Sequence, residues 1–115
     1  MKVLEIVKLL EGKIVTSSQA MDRQIDAAFS SDLMSDVLTL NDFQNVALIT
    51  GLANIQTIRT VEMAGIYFVI LVRGKKASDE MIELAEENET IIIETAYSAF
   101  RTSALIYNSG VKSLY

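Results

Sequence analysis

Two kinds of apolar pattern alternate along the chain. "NVALIT" (45–50), "IYFVILV" (66–72) and "TIIIET" (90–95) hold nearly unbroken apolar runs. Such runs predict strands buried on both faces, as in parallel sheets. Between them apolar residues recur at helical spacing. "NIQTIRTVEMAG" (54–65) reads as a helix with Asn54 as N-cap and Gly65 as its stop. "SDEMIELAEEN" (78–88) reads as a second, capped by Ser78, with Met81, Leu84 and Ala85 facing inward. Strands thus recur about every 22 residues, with a helix between each pair, and right-handed β-α-β crossovers are the expected connection.

The flanking segments extend this scheme. "KVLEIVKLL" (2–10) predicts a short helix with Val3, Ile6, Val7 and Leu10 on its apolar face, ended by Gly12 in the left-handed conformation. "KIVTSS" and residues 25–29 are strand candidates. "SSDLMSDVL" (30–38) opens a helix of roughly 31–40, with Ser30 or Ser31 closing its start and Asp32 in its first turn. The last helix falls at about 96–108, with Tyr97, Phe100, Ala104 and Tyr107 on one face. The fold class is therefore α/β, a small parallel or mixed sheet flanked by helices. At 115 residues the chain suits a single domain, 1–115.

Composition narrows the chemistry. Cys and His are both absent. Disulfides and thiolate metal sites are excluded, and so is the commonest general base. No nucleophile-elbow, P-loop or Rossmann glycine pattern is present. A net charge of -5 argues against nucleic acid and anionic membranes as partners. The first residues are interrupted by charges and do not form a signal peptide, and no apolar run approaches a membrane span. The expected location is cytoplasmic. Asp79 to Glu94 holds seven of the fifteen acidic residues and no Lys or Arg, a solvated helix face or a surface for a basic partner.

Ligands of open α/β sheets collect outside the carboxyl ends of the strands. Three loops qualify, each leading into a helix N-terminus that favours an anion. They supply the candidate ligand residues Thr50, Gly51 and Asn54, then Arg73, Gly74 and Lys75, then Thr95 and Ser98. Gly51 is read as a turn residue of positive φ. Arg59 either joins this site or pairs with Glu62 on its own helix. Asp32 and Asp36 offer two carboxylates one turn apart, the least favoured site, for Mg²⁺.

With these motifs placed, the chain resembles the DRTGG-domain family. The carriers are Asp22-Arg23, "SDLMSDVL" (31–38), "ITGLANIQTIRTVEMAG" (49–65), "ILVRGKKASDEMIELAEEN" (70–88) and "IIETAYSAFRTSALIY" (92–107). Ala27 and Ala28 stand where the family pattern has glycine. The resemblance implies a fold like the N-terminal domain of HPr kinase/phosphorylase. It also implies the company of CBS domains in nucleotide-regulated pyrophosphatases, where such domains help form the dimer. It supports a regulatory or assembly module more than any reaction.

The expectation is thus a non-enzymatic, homodimeric regulatory module that takes a small anionic ligand such as a nucleotide. No cofactor is assigned. Asp22, Arg23, Ser31, Asp32, Ser35 and Asp36 are the interface candidates, with Ser35 and Asp36 reaching Arg23 or a second copy of their helix. The alternatives are a protein-interaction subunit docking a partner enzyme, through the acidic helix or the apolar face of 97–107, and a small Mg²⁺-dependent enzyme using Asp32 and Asp36.

Overall fold

The computed structural model of the chain describes residues 1–16, 22–39 and 45–115. The three apolar runs form its central strands, β3 (Val46–Thr50), β4 (Phe68–Leu71) and β5 (Ile91–Glu94), buried along their whole length. Short strands complete the sheet: β1 (Lys13–Ile14), β2 (Ala27–Ser30) and β6 (Lys112–Ser113). The order is β1-β5-β4-β3-β2-β6. Among the described strands only β1 runs antiparallel to its neighbour. The sheet is therefore mixed, with a parallel centre, as the apolar runs imply.

Alternation along the strands divides the core into two layers. Ala47, Ile49, Phe68, Ile70, Ile91 and Ile93 point to one face, where α1 (Val3–Leu9) and α5 (Ala99–Asn108) cover them through Val3, Ile6 and Ile106. Leu48, Val69, Leu71 and Ile92 point to the other. There they meet Val37 of α2 (Met34–Val37), Ile58 and Val61 of α3 (Ile55–Ala64), and Met81 and Ala85 of α4 (Asp79–Glu87). The caps follow the sequence. Asn54, Ser78 and Ser98 each accept a hydrogen bond from a backbone N–H three residues on, and Gly65 closes α3 at φ 73°.

Four local expectations change. First, α2 spans only Met34–Val37, and its N-cap, Leu33, makes no side-chain cap bond. Ser31 Oγ accepts from Leu33 N at 3.0 Å in a local turn instead, and Asp32 is drawn away to β3. Second, the left-handed residue after α1 is Glu11, at φ 47°. Gly12 serves close approach: a Cβ there would lie 2.8 Å from the Glu94 carbonyl oxygen. Third, α5 buries Thr102 and Ile106 and turns Phe100 and Tyr107 to solvent, 85% and 66% exposed. The 96–108 pattern reads apolar on both sides of the helix, so the spacing alone picks the wrong one. Fourth, the chain continues into β6 beside β2. A two-residue strand carries too little pattern to be read. The end of "KIVTSS" (Ser17 and Ser18) lies outside the described residues, as do residues 40–44.

Candidate functional site

Parallel register brings the strand ends together. Ser30 pairs with Ile49, Thr50 with Leu71, and Leu71 with Glu94. The carboxyl ends of β2, β3, β4 and β5 therefore lie side by side on one edge of the sheet. Backbone bonds extend the ladder past the strands: Ser31 N to Ile49 O, Val72 N to Thr50 O, and Thr95 N to Leu71 O.

Asp32 is the knot at the β2–β3 end. Its Oδ1 accepts from Thr50 Oγ1 at 2.9 Å and from Gly51 N at 2.8 Å. Thr50 Oγ1 in turn accepts from Leu52 N. Gly51 does not adopt positive φ, contrary to the expectation for that loop. The Asp32 carboxylate already sits on the N–H that an incoming anion would use. This corner thus presents a second carboxylate oxygen, which suits a ligand's donor group better than its phosphate.

The β4–β5 end is cationic. Arg73 and Gly74 take consecutive left-handed conformations, at φ 58° and 71°. This turn aims both amides at the β5 side, Arg73 N to Tyr97 O at 2.7 Å and Gly74 N to Thr95 O at 3.0 Å. Glu94, nearly buried, accepts from Ala77 N at 2.8 Å and lies 3.4 Å from the Lys76 ammonium. Tyr97 donates its hydroxyl to Glu11 at 2.7 Å, and the Arg101 guanidinium stacks on its ring at 3.8 Å. The hydrogen bond to Glu11 is the main reason the Tyr97 phenol is held above its ordinary value near 10; desolvation adds to this and Arg101 opposes it.

The eight candidate ligand residues share this edge, but most use their polar groups inside the fold. Asn54 and Ser98 cap α3 and α5. Thr95 is buried and donates to Leu10 O. Thr50 and Gly51 hold Asp32, and the Gly74 amide is bonded. Among the described residues, the Arg73 and Lys75 side chains remain exposed and outside any ion pair. Arg59 instead lines a surface groove with Glu80, Glu83 and Glu87 of α4.

The interface candidates separate. Arg23 lies at the amino end of the sheet, its guanidinium 4.8 Å from the ring centres of both Tyr67 and Phe68. Ser35 and Asp36 lie beyond the opposite end, so the expected contact with Arg23 does not form. Asp22, Ser35 and Asp36 are exposed, and Ser31 is half-buried in its turn. Ala27 and Ala28 open β2 with ordinary backbone angles. No group of three or more metal-ligating side chains gathers among the described residues. No described helix is long and apolar enough to cross a membrane. Sequence reasoning missed Glu94 and the Tyr97–Glu11 link, because both depend on which loops become neighbours.

These features define a three-layer α/β domain whose strand-end loops are laced together from within. The model of the DRTGG domain family matches residues 5–109, and the chain belongs to that family. No curated protein matches the chain. Among solved structures, it is similar to the CBS and DRTGG domains of the regulatory region of Clostridium perfringens pyrophosphatase, complexed with the activator diadenosine tetraphosphate. The TM-score is 0.78 at 19% sequence identity, covering 94% of this chain and 46% of that one. This likeness is one of fold, and the chain spans less than half the length of that relative.

Proposed function

We propose that this domain is a non-enzymatic regulatory module that binds a nucleotide-type ligand at the carboxyl edge of its sheet and passes the effect on through assembly as a homodimer. The carrying observation is the division of that edge. Arg73 and Lys75 offer cations, in no ion pair among the described residues, at the end of β4. Asp32 offers a carboxylate oxygen at the end of β2. A ligand with phosphates and hydroxyls matches both corners; inorganic phosphate alone matches one. That the similar regulatory region was solved with a dinucleotide activator supports the same ligand class.

The test is a thermal-shift and calorimetric screen with nucleotides and phosphorylated metabolites. A ligand at 100 times its Kd stabilises by about 2.7 kcal/mol, very roughly 10 °C for a domain of this size. The Arg73→Ala/Lys75→Ala double variant should lose that shift while keeping its own melting point. Unchanged affinity in this variant overturns the assignment of the site.

A second reading is an interaction subunit without a ligand. The outward Phe100 and Tyr107 of α5 favour it. It predicts a flat ligand screen and a co-purifying partner that charge reversal at Glu83 and Glu87, or loss of Phe100, releases.

A further inference from the structure

A groove lies between α5 and the β2–β6 margin of the sheet, and its walls have a consistent chemistry. Small side chains on both sides create it: Ala28 and Ser30 on β2, Ser103 and Ala104 on α5. It encloses about 360 Å³, at the small end of the range for small-molecule sites. Phe100 and Tyr107 stand at its rim two helical turns apart, about 10 Å along the axis. Both rings are largely exposed, so each keeps a face or edge for another ring.

The polar side chains lining it are Ser30, Ser103, Lys112 and Ser113. Ser30 Oγ and Ser103 Oγ share one hydrogen bond of 3.1 Å. That leaves the pair one further O–H and several lone pairs. Lys112 lines the β6 side and is in no ion pair among the described residues. No acidic side chain among the described residues lines this groove. A cation as the sole charged lining residue among those described, in a net-acidic protein, selects for an anion.

We infer that this groove is a binding site for a planar aromatic molecule bearing one anionic group. The ring lies over Ala28 and Ala104 between Phe100 and Tyr107, and the anion faces Lys112. The site is separate from Arg73 and Lys75 and does not depend on the ligand proposed above. A helix or a second copy of this chain fits less well, because an apolar partner surface would cover Lys112 and the two serines without pairing them.

The test uses 8-anilinonaphthalene-1-sulfonate and indole-3-acetate as probes, both planar aromatics with one anionic group and neither a nucleotide, read by fluorescence and by amide chemical shifts. Saturable binding should shift amides of 28–30, 100–107 and 111–113. Ala104→Phe fills the groove from an exposed helix position and should weaken binding by about tenfold or more, with an unchanged circular-dichroism melt. Lys112→Glu should weaken it roughly three- to fivefold. Arg73→Ala/Lys75→Ala should leave it unchanged, which separates this site from the edge site. Shifts elsewhere, affinities indifferent to Ala104→Phe and Lys112→Glu, or no binding of either probe overturn the inference. So does a dimer that excludes the probes and is dissolved by Ala104→Phe, because the groove then holds a second copy.

Discussion

Asp32 joins two βα loops through one oxygen atom, and this can be weighed by a double-mutant cycle. Asp32→Ala removes both bonds to Oδ1. Hydrogen bonds to a charged partner contribute about 1.5–3 kcal/mol each where water is excluded. Asp32 is exposed, so screening reduces this, and a total loss of about 1–2 kcal/mol is expected. Thr50→Val removes a hydroxyl that is 1% exposed and bonded to both Asp32 and Leu52 N; the expected cost is about 1 kcal/mol. Each single variant breaks the same Asp32–Thr50 bond. The double variant should therefore lose less than the sum of the two, by about 0.5–1 kcal/mol. Asp32→Asn keeps the acceptor oxygen and should cost about half as much as Asp32→Ala. Urea unfolding at constant m-value measures all four corners. A coupling within about 0.3 kcal/mol of zero would show that the two residues act independently and that Asp32 does not tie the loops.

Three further perturbations probe the supports of the same edge. Gly12→Ala forces its Cβ against the Glu94 carbonyl; a loss of about 1–3 kcal/mol in urea unfolding is expected, with faster amide exchange at Val15, whose N–H pairs with Ile92 O. Thr102→Val replaces a fully buried hydroxyl that has no hydrogen-bond partner among the described residues by a methyl of similar size, and should stabilise by about 1 kcal/mol; a lower melting point would mean that the hydroxyl is satisfied in solution. Tyr97 holds its proton more tightly folded than unfolded, so its contribution is complete below the unfolded value near 10 and is lost as pH rises through the higher folded value. The alkaline fall in stability above pH 10 should therefore be shallower in Tyr97→Phe, and an identical pH profile would refute the Glu11 link.

What the pattern could reveal depended on how many residues carried it. β3, β4 and β5 are unbroken apolar runs, and α3 and α4 have their own caps, so each was legible from local physics. β6 has two residues and α2 has four, too few for a period to show. α5 is instructive because both of its sides look apolar. Burial went to Thr102 and Ile106, and two aromatics went outward, a choice set by the crossing from β5 over the sheet to β6. The strand-end rule placed Thr50, Arg73 and Thr95 on one edge without knowledge of strand order, because every strand from β2 to β5 is parallel. It gave no sign that the hydroxyl and amide groups there would bond to one another, since that depends on contacts between loops far apart in sequence.

The repeated Ser-Asp pairs show how such contacts divide identical residues. Ser31-Asp32 and Ser35-Asp36 are the same dipeptide four residues apart. The first lies within reach of β3: Ser31 turns the chain, and Asp32 fastens it to Thr50 and Gly51. The residues so held lie outside α2, which starts at Met34 after an extended Leu33. Among the described residues no strand lies opposite the second pair. Ser35 and Asp36 are exposed, their side chains have no hydrogen-bond partner among the described residues, and Leu33, 57% exposed, and Leu38 flank them on the surface. Water hydrates these exposed polar groups, so nothing in the fold of this chain requires them where they stand, between exposed leucines. The first pair is thus explained by contacts within this chain, whereas the second has a structural role only if Ser35→Ala/Asp36→Ala changes the oligomeric state measured by light scattering; an unchanged mass would leave it a solvated surface pair.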